Sequence, residues 1–432
     1  MKGKINMKNR KKLSAVLTAV ICLAMLGGCG NGGAGSASGT AAVTESTVQV
    51  TEAVDENAVD PSVPFELSGG VTDKMYNRAF LNEGNTSRLA AAMEKAKKGE
   101  SITVAVIGGS ITQGTAASNT NNCYASKFFA WWQEKFPECE VNTVNAGIGG
   151  TDSYLGVHRA DEQLLSYSPD VVVIEFSVND TDKTMNKYSY DSLVRKVLSA
   201  ENDPAVILLF TTQEDGTSLQ DVHKEIGAAY DLPMISYREA VYPEVAAGTL
   251  AWKDISPDNI HPNDIGHDII GQLLSRYLDG VYSSDTAALA AEVAKFDTEG
   301  FTNDYYKNAK LLNASQMEYT ADGFEAGQNS VYTQFPDNWI TSGGGTLTFE
   351  TECQNLGILY LKTVDGKSGT YEVYVDGERK GKLEGDFSGG WGNYAFPKQV
   401  LLAKDTAKHT IEIKPAEGSE DKGLTILAVM VS

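Results

Sequence analysis

Between residues 65 and 283 the chain alternates short, continuously apolar runs with longer stretches in which apolar residues recur every three or four positions. Ile102 to Ile107, Val141 to Asn145, Val171 to Phe176, Val206 to Phe210 and Met234 to Ser236 have the form of strands. Tyr124 to Phe136, Gly156 to Leu165, Tyr188 to Leu198, Leu219 to Tyr230 and a closing Gly266 to Leu278 have helical periodicity. Parallel strands need crossover helices, and strands apolar at every position need burial on both faces. The alternation therefore predicts an α/β domain with a parallel sheet covered on both sides. Ligands of such folds sit at the carboxyl ends of the strands. Ser110, Gly147 and Asn179 all fall just past predicted strand ends.

The pattern then changes. Residues 284–308 read as a linker, with an Ala-rich stretch from Thr286 to Phe296 predicted helical and a polar stretch after it. Residues 309–432 show short runs of period two, such as Gly345 to Glu350, Leu356 to Thr363, Thr370 to Val375 and His409 to Ile413, with Asp376-Gly377 as a hairpin turn. Evenly spaced strands of this kind predict a smaller, all-β sandwich. The chain has no internal repeat and no Walker or dinucleotide-binding glycine motif.

The first residues are basic (Lys2, Lys4, Lys8, Arg10, Lys11, Lys12), and an apolar stretch from Leu13 to Met25 leads into Leu26-Gly27-Gly28-Cys29. This is an export signal over residues 1–29, too short to favour a spanning helix, which needs about 20 apolar residues. Its end resembles the lipobox of bacterial lipoproteins, which implies acylation of Cys29 and a protein lipid-anchored to the outside of the bacterial cell membrane. An ordinary cleaved signal with an incidental cysteine is the alternative. Residues 30–64, rich in Gly, Ala, Ser and Thr, read as a flexible tether. The first 29 residues hold six of the 36 Lys and Arg and none of the 57 Asp and Glu, so the remainder carries a net charge of −27. That charge argues against nucleic acid and anionic lipid surfaces as partners, leaving the anchor at Cys29 as the only expected membrane contact. Cys123, Cys139 and Cys353 show no Cys-x-x-Cys spacing, so no zinc site is indicated. One Cys123 to Cys139 bridge is open, but free, partly buried thiols are the expectation.

Ser110 ends an apolar run that closes on glycines, and Asp258-Asn-Ile-His261 follows about 150 residues later. Ser, Asp and His in that order match serine hydrolases built on parallel α/β sheets, not the chymotrypsin or subtilisin order. Gly108-Gly109-Ser110-Ile111, Asn145-Ala146-Gly147, Val178-Asn179-Asp180 and Asp258 to His261 fall in the order and approximate spacing of four sequence blocks. Over about residues 98 to 280 the chain therefore resembles the SGNH/GDSL hydrolases. The resemblance implies a flavodoxin-like fold, a serine nucleophile and hydrolysis of ester or acetyl groups. It makes Ser110 the nucleophile, His261 the base, Asp258 its orienting carboxylate, and Ser110, Gly147 and Asn179 the oxyanion donors. This chemistry calls for no cofactor and no metal. Two positions depart from the family pattern: Gly109 stands where the family has Asp, and Ser177 where it has Gly.

Other candidates have structural explanations. Asp254 and Asp264 read as a solvated loop residue and a helix N-terminus, and Asp180 as a loop brace. Glu175, inside an apolar strand, is either a buried carboxylate or a solvated acid at the sheet's mouth, and is left outside the mechanism. His158, His223, His267 and His409 read as surface or packing residues, and the Trp131-Trp132 pair as core. Trp391 and Tyr394, in a glycine-rich loop of the sandwich, fit either a sugar-stacking platform or a plug for one end of the sandwich core. The leading expectation is a serine esterase acting on an acylated small molecule or polysaccharide, its target being O-acetyl groups on a carbohydrate. The alternatives are a lipase, lysophospholipase or thioesterase, and a non-catalytic glycan-binding lipoprotein.

Overall fold

A computed structural model of the chain describes residues 55–297 and 299–432. The expected export signal with Cys29, and the expected tether as far as residue 54, lie outside the described residues. Six strands build the first sheet: β1 (Phe80–Asn82), β2 (Ile102–Gly108), β3 (Val141–Gly147), β4 (Val171–Glu175), β5 (Ala205–Phe210) and β6 (Met234–Ser236). Their spatial order is β1-β6-β5-β4-β2-β3, with β2 to β6 parallel and β1 antiparallel at the edge. The five parallel strands thus follow the doubly wound order of flavodoxin-like folds.

The helices are α1 (Asp73–Ala79), α2 (Ser87–Lys97), a one-turn α3 (Ser110–Gln113), α4 (Tyr124–Lys135), α5 (Ser153–Gln163), α6 (Met185–Leu198), α7 (Gln220–Ala229), α8 (Tyr237–Ala247), a one-turn α9 (Trp252–Ile255), α10 (Asp264–Tyr282) and α11 (Thr286–Ala290). Successive strand residues serve opposite cores, as a pleated backbone requires. Val104 and Val106 of β2 join Trp132 of α4 and Leu273 of α10 on one side, while Ala105 and Ile107 join Leu155 of α5 and Leu193 of α6 on the other. Both faces are filled, which is why these strands read as unbroken apolar runs.

The remainder is a second, all-antiparallel sheet made of β7 (Lys310–Leu312), β8 (Tyr319–Asp322), β9 (Glu325–Gly327), β10 (Asn338–Thr341), β11 (Thr346–Lys362), β12 (Thr370–Val375), β13 (Glu378–Glu384), β14 (Tyr394–Pro415) and β15 (Leu424–Val431). Asp376 and Gly377, both at positive φ (53° and 80°), make the hairpin between β12 and β13. β11 and β14 pair along most of their length, with irregularities at Cys353/Asn355 and Leu356/Gly357 that increase local twist. Ile426, Val429 and Val431 of β15 enter the sandwich core, whereas Leu427, Ala428 and Met430 pack into the core shared with α5 and α6.

Two segments differ from the sequence expectation. Only Thr286–Ala290 of the Ala-rich stretch is helical, because Thr286 is the one buried residue and propensity alone cannot hold a longer helix. Residues 55–64, expected as the end of the tether, form turns bound to α1: Arg78 Nη1 donates to the Asn57 carbonyl at 2.7 Å and Lys74 Nζ to that of Ala58 at 3.3 Å.

A buried polar hub joins α5 to the sandwich. Asn355 of β11 accepts from the Tyr154 hydroxyl (3.1 Å) and from Gln399 Nε2 (2.8 Å), and its own amide donates to His158 Nε2 (3.1 Å). His158 Nδ1 carries the proton, because its partner is the Tyr154 carbonyl at 2.6 Å, which can only accept. Burial pushes His158 down to about 3, so the ring is neutral and its Nε2 is free to accept. Replacing Asn355 with the similarly sized Leu strands two buried polar groups, the Tyr154 hydroxyl and His158 Nε2. Chemical denaturation of Asn355→Leu is expected to show a loss of about 3 kcal/mol or more, and an unchanged midpoint and slope would contradict this account of the interface.

Candidate active site

β2 stands between β3 and β4, so the chain leaves it in opposite directions and opens a crevice at its carboxyl end. The register puts Gly108, Gly147 and Glu175 side by side there. Gly109 follows, and Ser110 is the first residue of α3. A Cβ at Gly109 would overlap Asn179 Oδ1, and one at Gly147 would overlap the backbone of Thr112 and Gln113. A side chain at position 109 would thus have to displace the Asn179 amide, whereas position 147 is closed by backbone.

Ser110 Oγ lies 3.0 Å from His261 Nε2, and His261 Nδ1 lies 2.8 Å from Asp258 Oδ2. A carboxylate only accepts, so Nδ1 bears the proton and Nε2 presents its lone pair to the serine hydroxyl. The other Asp258 oxygen accepts from the backbone N–H groups of His261 (2.7 Å) and Ile260 (2.8 Å). Burial by itself would raise Asp258. The hydrogen bonds from His261 and Ile260 outweigh it and hold the carboxyl below its ordinary value. Ser256 Oγ bridges the carbonyls of Asp258 and His261 at 2.7 and 2.6 Å, and Asn263 caps α10 immediately downstream. The loop bearing base and acid is thus closed on itself.

The oxyanion expectation needs one correction. The Gly147 N–H donates to Asn145 Oδ1 at 2.9 Å, so that donor is already spent. Gly147 is required for another reason, its close approach to α3. Among the described residues, the next turn leaves the Gly150 N–H without a partner, and Gly149 lies against Ser110. The Ser110 N–H, at the first helical position, has no intrahelical acceptor. Asn179 Oδ1 is buried without a donor, and no described group accepts from its Nδ2.

Several supports surround the site, and among them Asp180 is the loop brace and Asp264 the helix start expected from the sequence. Asp180 accepts from the Ser153 N–H (2.8 Å) and from His223 Nε2 (2.9 Å), all of them buried, which ties the Asn179 loop to α5 and α7. His223 stacks flat on Tyr190 with centroids 3.6 Å apart. Ser177, where the family has Gly, accepts from the Thr211 N–H at 2.7 Å and so joins the ends of β4 and β5. His267 Nε2 donates to the Thr115 carbonyl and its Nδ1 accepts from the Tyr124 N–H, securing the chain that follows Ser110. Asp264 starts α10 and accepts from Ser118. Cys123, Cys139 and Cys353 are free thiols.

Trp391 is 69% exposed, yet its ring lies against Gly150, and it packs on Tyr394 with centroids 4.8 Å apart. The loop between β13 and β14 therefore reaches the turn that borders Ser110. It does not close the sandwich core.

An α/β sheet with a Ser-His-Asp line at its switch point is the architecture of a hydrolase acting on ester bonds. The sequence profile of the GDSL-like Lipase/Acylhydrolase family matches residues 106–269. Among solved structures, the chain is similar to a two-domain esterase (CEX) active on acetylated mannans, with 33% identity, a TM-score of 0.77, and coverage of 83% of this chain and 98% of that one. The same esterase co-crystallised with mannopentaose gives 33% identity, a TM-score of 0.76, and coverage of 83% and 97%. A search of curated proteins finds no match. The chain belongs to the SGNH/GDSL hydrolase superfamily.

Glu175 is wholly buried beneath α3, accepting from Thr211 Oγ1 (2.6 Å) and Thr112 Oγ1 (3.1 Å). Burial raises it from 4.5 to about 7. An acid whose pKa is raised on folding stabilises the fold below its unfolded pKa, and that contribution is lost as pH climbs through the folded value. Wild-type stability should fall between about pH 4.5 and 7 by up to ~3 kcal/mol from this group, while Glu175→Gln should lack that component. Urea titrations at several pH values test this, and parallel stability profiles for the two proteins would count against a buried neutral Glu175.

Proposed function

We propose that this protein is a serine esterase that removes O-acetyl groups from a mannan-type polysaccharide through an acyl-enzyme. The observation that carries the reading is the unbroken Ser110-His261-Asp258 line, with links of 3.0 and 2.8 Å. Ser110 Oγ attacks the acetyl carbonyl carbon as its proton passes to His261 Nε2, and Asp258 steadies the imidazolium. The tetrahedral oxyanion takes its hydrogen bonds from the unspent donors of Ser110 N–H, Gly150 N–H and Asn179 Nδ2. Collapse breaks the bond to the sugar oxygen, which receives the proton from Nε2. Water then attacks the acetyl-serine with His261 as base, releasing acetate and restoring the hydroxyl.

A carbohydrate substrate is supported by the exposed Trp391 ring, with Tyr394 behind it, at the edge of the Ser110 crevice, since aromatic faces stack on the apolar faces of sugars. Similarity to an esterase active on acetylated mannans supports mannan as the backbone. The basic and apolar N-terminus ending in Leu26-Gly27-Gly28-Cys29 supports export and lipid anchoring, which would place the enzyme on the outer side of the cell membrane, where polysaccharide is met.

Acetate release from acetylated mannan is expected to fall at least about 10⁴-fold in Ser110→Ala. Trp391→Ala should slow release from the polymer more than hydrolysis of p-nitrophenyl acetate. Wild-type rates in Ser110→Ala would overturn the nucleophile, and faster turnover of octanoyl than acetyl esters would favour a lipase instead.

A further inference from the structure

Arg159, on α5, is fully buried and has no carboxylate partner among the described residues. Its Nη1 donates to the Ala146 carbonyl at 2.7 Å and to Gln163 Oε1 at 3.2 Å; its Nη2 donates to the Gly108 carbonyl at 3.1 Å; its Nε has no partner among the described residues. A guanidinium withdrawn from water without a counter-ion is costly, and a protein seeking only stability replaces it with an apolar residue. Burial lowers Arg159 only to about 9, so it remains charged in neutral solution.

Its partners explain its retention. Gly108 is the last residue of β2 and Ala146 the last but one of the adjacent β3, immediately before Gly109-Ser110 and before the segment that runs from Gly147 to Gly150. The Gly108 carbonyl also accepts from the Ile148 N–H at 3.1 Å, so one guanidinium spans the two backbone segments that frame the reacting carbonyl. Every other charged group in the site is an acid or, during turnover, the imidazolium. Arg159 is the fixed positive charge below the place where the oxyanion forms.

We infer that Arg159 is a positioning residue for the esterase reaction, whose buried, unneutralised charge also favours the anionic tetrahedral intermediate over the neutral bound ester. This rests on the Ser110 mechanism proposed above, but acts on its rate and not on whether it occurs. Losing a charge that stabilises only the intermediate lowers kcat and leaves KM nearly unchanged.

Three variants separate field from scaffold, each assayed with p-nitrophenyl acetate and with an alkyl boronic acid, which forms an anionic tetrahedral adduct on a serine. Gln163→Glu keeps Arg159 and both carbonyl contacts but sets a carboxylate against the guanidinium. It should lower kcat by about tenfold, less than the ~10² to 10³ for losing a donor that touches the oxyanion, with KM within about twofold and boronate affinity weakened by the same factor as kcat. Arg159→Lys, which retains charge and can reach one carbonyl, should stay within about threefold of wild type, whereas Arg159→Gln, which can also donate but is neutral, should fall by at least tenfold. Unchanged kcat and boronate affinity in Gln163→Glu, or equal losses in the Lys and Gln variants, would overturn the inference, even if the Arg159 variants proved unstable in the first case. Inactivity of wild type toward acetyl esters would instead sink the underlying mechanism.

Discussion

The site depends on backbone packed more closely than side chains permit. Gly108, Gly109 and Gly147 each occupy a position where a Cβ would overlap a neighbour: Thr112 and the Glu175 carbonyl, the Asn179 amide, and the first turn of α3 respectively. With those three positions bare, the ends of β2, β3 and β4 converge, and Ser110, the Gly149-Gly150 turn and Asn179 share one crevice. The parallel register supplies the level and the doubly wound order supplies the opening. Arg159 then ties two of the converging strands from below, and the Asp180-His223 pair ties the third from the side.

A second constraint is that the sandwich has no free inner face. Leu427, Ala428 and Met430 of β15 are buried on the α/β side, while their neighbours Ile426, Val429 and Val431 fill the sandwich's own core. Apolar burial of this kind holds layers together but discriminates weakly between registers. The Asn355 hub discriminates better, because a shifted interface would leave His158 Nε2 and the Tyr154 hydroxyl without partners in a dry environment. The consequence at a distance is that the loop carrying Trp391 rests on Gly150, so the all-β region forms part of the wall of the Ser110 crevice.

Much of this was legible in the chain. The five parallel strands lie within a residue of their predicted ends or extend slightly further, because burial on both faces leaves a continuous apolar signature. The line from Ser110 through His261 to Asp258 was visible as short motifs, since loops at strand ends concentrate chemistry in few residues. Edge strand β1 and helices α1, α2 and α8 were missed: β1 has only three residues, and half of the buried residues of α2 are alanines. β15 was missed for the opposite reason, because its two buried faces erase the alternation expected of an antiparallel strand. The role of Gly147 was misread because a motif cannot show that Asn145 has taken its N–H. Arg159 and His223 gave no local sign of their roles, since the strand-end carbonyls bound by Arg159 and the carboxylate bound by His223 lie between 13 and 51 residues away.

The central claim is that Ser110 is the acyl-accepting nucleophile. Labelling the protein with an alkyl p-nitrophenyl phosphonate, which phosphonylates an activated serine and expels nitrophenol, and then mapping the adduct by peptide mass spectrometry is the most direct measurement. The account predicts one adduct per chain, on Ser110, in step with loss of esterase activity; full inactivation with the adduct on any other residue, or full labelling of Ser110 with activity intact, would contradict it.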